Sequence, residues 1–141
     1  MSSQPPYGYS APPAGKTKLM NLDYNVAGLL CYLPICCLNL VLAIILLATE
    51  PKENRFVRFH ALQSLILMGV GFVVGCVFWI FAIAIVVTPV PGRAAGWGLL
   101  SLIEWVLGIV FLAISIFAGV KAYQGQMWKI PFIGDIAEKN A

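Results

Sequence analysis

The hydrophobic positions of this chain gather into three long blocks separated by short polar connections. The first runs over residues 25–49, the second over 61–87 and the third over 98–120; only the third holds a charged residue, Glu104. A helix rises about 1.5 Å per residue, so roughly 20 apolar residues cross a hydrocarbon core of about 30 Å, and every block is long enough. Blocks that are apolar all round, rather than along one stripe, want lipid rather than a polar face. The pattern predicts an all-α integral membrane protein, with three apolar segments in a small helical bundle and the lipid bilayer as principal partner.

The first block carries a breaker. Pro34 removes a helix hydrogen bond and clashes with the carbonyl of Leu30. The block is therefore either one helix kinked near Leu30–Pro34 or a re-entrant hairpin at Pro34. The hairpin's arms would be residues 25–33 and 40–49, with Asn39 serving backbone groups at the bend. Residues 50–55 form a polar connection. Residues 56–64 read as an interfacial lead-in to the second block, and residues 88–97, with Pro89, Pro91 and Gly92, as a turn. Lys121 ends the third block. The rest of the chain is polar, with Tyr123 and Trp128 suited to the headgroup layer.

Residues 1–21 differ from everything after them. They contain Pro5, Pro6, Pro12 and Pro13 and few aliphatic residues, so a disordered tail is expected there. No signal-peptide apolar core lies in it, and the first block is read as a retained anchor. Residues 22–139 are expected to form a single helical membrane domain.

Charge bears on topology, because cytoplasmic loops are enriched in Lys and Arg. With three full crossings, Lys16, Lys18 and Arg93 share one face while Lys52, Arg55, Arg58, Lys121, Lys129 and Lys139 share the other. With a hairpin, Arg93 alone stays outside. Both readings put residues 50–58 and the C-terminus in the cytoplasm. The hairpin gives the stronger bias; block length favours a single crossing.

Composition agrees with the pattern. The chain is 60% hydrophobic and 11% charged, against about 25% charged for soluble domains. A chain of 141 residues has too much surface for its volume to hide that much apolar area. The net charge of +3 comes without a Lys/Arg run, so nucleic acid is not an expected partner. Cys31, Cys36, Cys37 and Cys76 all lie in apolar stretches and read as small packing residues, with no metal-ligand spacing. No cofactor is expected.

Three groups of residues are candidates for function. His60, Gln63 and Ser64 lie at i, i+3 and i+4 on one helix face at the mouth of the second block, with Arg58 just before them within reach of anionic headgroups. They form either an interaction corner, meeting the C-terminal segment or a partner, or simply a polar helix start. Glu104 is an intramembrane acid, about 9 Å in from Gly98. It is either an interfacial acid paired with Arg93 or a proton or cation site. Gly71 and Gly75, and Ser115 and Gly119, have the spacing that lets helices approach closely, within one chain or between copies.

The strings CYLP (31–34), ENRFVRFHALQSL (53–65) and KAYQGQMWKIPFIGDIAEK (121–139) resemble a bacterial family of small uncharacterised membrane proteins that includes the magnetosome proteins MamF and MmsF. That family is distantly similar to the Tic-type import component of the chloroplast inner envelope. The resemblance covers about residues 22–139. It implies helical proteins of a bacterial inner membrane, multi-pass, in some cases needed to assemble a membrane-bounded compartment, and no enzymatic activity. The chain lacks the acidic clusters an iron-mineral surface would want. Two function classes stay open. One is a non-enzymatic assembly or scaffold protein that recruits partners, shapes membrane or forms homo-oligomers. The other is an oligomeric channel or transporter-like pore lined by Glu104, Asn39 and the His60 face.

Overall fold

The computed structural model describes residues 14–35, 37–89 and 91–141; the tail expectation for residues 1–13, and Cys36, lie outside them. Five helices follow in order: α1 (Tyr24–Leu30), α2 (Leu38–Thr49), α3 (Arg55–Val87), α4 (Arg93–Tyr123) and α5 (Ile133–Asn140). No strand occurs among the described residues, beyond one isolated bridge between Lys16 and Asp23.

Among the described residues, α3 and α4 are the two helices long and apolar enough to cross a membrane. At 33 and 31 residues they reach about 50 and 46 Å. They run antiparallel: a Cβ at Gly71 would stand 2.9 Å from the Phe111 ring, and Gly28 sits between Ala122 of α4 and His60 of α3. Their most apolar stretches are almost wholly uncovered by the rest of the chain. A soluble core helix would be buried; these faces need lipid or another chain.

The first apolar block is two short helices. The chain leaves α1 after Leu30, passes Pro34 outside any helix, and begins α2 at Leu38. The Asn39 side chain accepts from the Leu40 backbone N–H at 2.9 Å, serving a donor that the first turn of a helix leaves free. The outer ends of the two helices lie at the same end of the bundle. Asn25 donates to the Tyr123 carbonyl (3.3 Å), and the Lys18 backbone N–H donates to the Glu50 carboxylate (2.7 Å).

Other differences from the sequence reading are local. Residues 14–21, assigned to the disordered tail, are held: the Thr17 N–H donates to the Leu22 carbonyl and the Tyr24 N–H to that of Gly15. Helix α4 starts at Arg93, so the turn is shorter than 88–97. Gly92 ends that turn at φ +80°, where a side chain would be strained. Helix α5 falls where only polar chain was expected.

The buried residues gather at one end of the molecule. They comprise Ala27, Cys31 and Tyr32, the inner face of α2 (Leu42, Ala43, Leu46), the first turns of α3 up to Leu67, and Ala118 and Ala122 of α4. Ile130 and Ala137 close the base.

Candidate functional site

Asn54 starts α3: its side-chain oxygen accepts from the Val57 N–H. Helical spacing then puts His60, Gln63 and Ser64 on one face, and that face points inward. His60 and Gln63 are fully buried, Ser64 nearly so. Burying three polar side chains is costly unless they are hydrogen-bonded, so their partners define the site.

Gln63 is the hub. Its amide nitrogen donates to the Tyr32 hydroxyl (2.9 Å) and the Trp128 carbonyl (3.1 Å). Its amide oxygen accepts from the Ile130 N–H (3.2 Å). One side chain thus joins the α1–α2 connection, α3 and the C-terminal segment, across 31 to 67 residues of sequence. The Tyr32 hydroxyl also meets His60 Nδ1 at 3.2 Å. A hydroxyl that accepts from Gln63 has its one proton free to give, which assigns Nδ1 as acceptor and places the imidazole proton on Nε2. The Gln126 backbone faces the ring, but Nε2 makes no bond of good geometry. Phe56, Phe59 and Tyr32 enclose the ring edge-to-face, with centroids 4.6, 5.1 and 5.8 Å away. Ser64 donates to the Ala61 carbonyl (2.9 Å) and contacts the Cys31 thiol.

Gly134 makes the C-terminal half of the site possible. A Cβ there would stand 2.5 Å from Lys129 Cβ and 3.0 Å from Gln63 Oε1. Phe132, two residues earlier, takes φ +66°, and the residue is 87% exposed at the start of α5. Lys129 closes the turn by ion pairs to Glu138 (2.7 Å) and Asp135 (3.6 Å).

Arg58 is turned to a different task from the headgroup contact expected of it. Its guanidinium donates to the carbonyls of Leu47 (2.9 Å), in the last turn of α2, and of Glu50 (3.2 Å), which caps it. A cation at a helix C-terminus satisfies free carbonyls and suits the helix dipole. Glu50 is buried beside it, accepting from Lys18 N and from the Asn54 side chain, both at 2.7 Å.

The remaining candidates lie apart. Glu104 is exposed on α4, about 27 Å along the helix from Ala122, where His60 packs. The expected Arg93 partner is eleven residues away and bonds the Val86 carbonyl instead (3.3 Å), so the ion pair does not form. Gly119 packs against Leu29 and Tyr32, Gly71 against Phe111, and Ser115 is buried; Gly75 faces open space. Sequence reading missed Tyr32, Glu50 and Gly134. Tyr32 carried a signal: it is the lone tyrosine of the first apolar block, two residues before its proline.

The chain is similar to archaeal membrane proteins over most of its length. A UPF0132 membrane protein of Methanocaldococcus jannaschii is 39% identical over 128 residues, which cover 89% of this chain and 94% of the relative. A second from that organism is 36% identical, covering 85% and 71%. One from Archaeoglobus fulgidus is 36% identical, covering 82% and 93%. These relatives are archaeal, where a bacterial family was expected. No solved structure matches. Residues 19–137, which hold the whole Gln63 site, match the magnetosome magnetite crystal formation protein family, and the chain belongs to that MamF/MmsF family of membrane proteins.

Proposed function

We propose that the protein is a non-enzymatic assembly protein of the membrane. In this reading α3 and α4 cross the bilayer, α1 and α2 re-enter from the cytoplasmic side, and α5 lies at that surface. The observation that carries it is the Gln63 hub: its three hydrogen bonds all go to the chain's own segments, which makes a rigid platform rather than a reactive centre. The platform holds residues 14–21, the 50–54 connection and α5 on one side, where partners would be recruited.

Labelling with a membrane-impermeant maleimide in sealed vesicles tests the arrangement. Ala14→Cys, Lys52→Cys and Ala141→Cys should react from one side and Ala94→Cys from the other. If Ala14→Cys reacts together with Ala94→Cys, the first block crosses fully and the arrangement is wrong.

One observation favours a second reading, an oligomeric pore. Glu104 is a carboxyl on the outward face of α4, bordering a notch of about 360 Å³ with Trp105, Gly108, Ile109 and Leu112. An acid in hydrocarbon is costly by a few kcal/mol, so several copies meeting at Glu104 would relieve it. Proton or cation flux into reconstituted vesicles separates the two. The assembly reading expects none above empty vesicles. Flux abolished by Glu104→Gln, with the His60/Gln63 double alanine variant still conducting, would replace it with the pore.

A further inference from the structure

The protein is uneven in thickness along its two long helices. Beside residues 56–67 of α3 and 115–122 of α4 lie α1 and α2, with α5 across the end. Beyond that level nothing further packs. No described residue of 69–87 in α3 or of 93–114 in α4 is buried.

The added helices reach a definite depth. Arg58 fixes the end of α2 at the start of α3, and the twelve residues of α2 extend about 18 Å from there. That is close to one leaflet of a hydrocarbon core about 30 Å thick. The outward face of α2 is apolar and exposed, with Leu38, Val41 and Ile44 each at least half uncovered, so it belongs among acyl chains rather than headgroups. Phe132, Ile136 and Tyr123 are exposed at the base, where apolar side chains beside charged ones enter the same leaflet at its rim. One leaflet therefore receives four helices, and the other receives two.

We infer that the protein is an intrinsic membrane-bending wedge: by placing α1 and α2 beside α3 and α4 in one leaflet only, it drives the bilayer convex toward the side that carries Glu50 and the C-terminus. The inference rests on the reading above that α3 and α4 cross the membrane. A helix is about 10 Å across with its side chains, so each chain occupies roughly twice the area in the thicker leaflet as in the thinner one. Lipids in one leaflet make room for α1 and α2, those in the other do not, and curvature relieves the mismatch.

The test uses the full chain reconstituted into phosphatidylcholine–phosphatidylglycerol vesicles at rising protein-to-lipid ratio, with diameters measured by electron cryomicroscopy. Mean diameter should fall roughly twofold or more across the titration, the scale set by about two additional helix cross-sections per chain. Protease access to a C-terminal tag should show the C-terminus outside, on the convex face, in most copies in the smallest vesicles. If the protein floats with the vesicles, resists carbonate and labels Ala14→Cys and Ala94→Cys from opposite sides, yet diameters stay constant, the wedge is overturned while the membrane reading stands. Failure to float would overturn both.

Discussion

The two ends of this protein are built on opposite principles. At the packed end, formed by α1, α2, α5 and the adjoining turns of α3 and α4, small residues let helices close in and buried polar groups name their partners one by one. At the far end, α3 and α4 stand as a bare hairpin. There Phe72, Trp79, Ile80 and Trp105 are each more than half exposed, and the glycines at 69, 75 and 108 have no neighbour within 4 Å of an added Cβ. The first end is specified by its own chain; the second leaves its specification to the surrounding medium. A substitution that the far end ignores should therefore be destructive at the packed end, and charge should reverse that order.

The largest effect is expected at the hub. Gln63→Leu keeps the volume roughly but leaves the Trp128 carbonyl and the Ile130 N–H without partners, so a loss of about 3 kcal/mol is expected. Thermal unfolding in detergent, followed through tryptophan fluorescence, should show it, together with faster proteolysis after Tyr123. A variant as stable as the parent would mean that the C-terminal segment is not held by Gln63.

Ile80→Lys probes the bare hairpin. Its site is 66% exposed, so in water the change would be nearly neutral. Ile80 lies nine residues past the middle of α3, so in lipid a lysine there costs less than the roughly 3 kcal/mol of a helix-centre position but still disfavours insertion. The fraction of chains resisting carbonate extraction should drop. Unchanged insertion would place this stretch outside lipid.

Two glycines four residues apart give the finest comparison. Gly71→Leu should cost about 2 kcal/mol, because the Phe111 ring already stands where the side chain would go. Gly75→Leu should stay within about 0.5 kcal/mol, because nothing is there. Equal damage at both positions, measured on the same detergent-solubilised protein, would show that Gly75 meets a second copy.

What the sequence by itself determined is everything that depends on short-range, additive properties. Hydropathy sums along the chain, so the apolar blocks at 61–87 and 98–120 were legible, as was the breaker at Pro34; the turns that extend the two long helices to 55–87 and 93–123 were not. Spacing along a helix is equally local, so the shared face of His60, Gln63 and Ser64 could be read off. That this face meets the C-terminal segment was one of the readings the sequence offered; which groups it meets, and that it is fully buried, could not be read. The sequence pointed Arg58 at headgroups and left Glu104 a partner in Arg93; tertiary structure gave Arg58 the carbonyls of Leu47 and Glu50 and took Arg93 to Val86. It also recruited Tyr32, Trp128 and Ile130, which lie 31 to 67 residues from Gln63, and packed α5, whose short amphipathic run is too brief to hold a helix alone. A buried amide must find partners wherever the chain can bring them, and which distant groups arrive is decided by how the helices pack, a property that no single stretch of sequence carries.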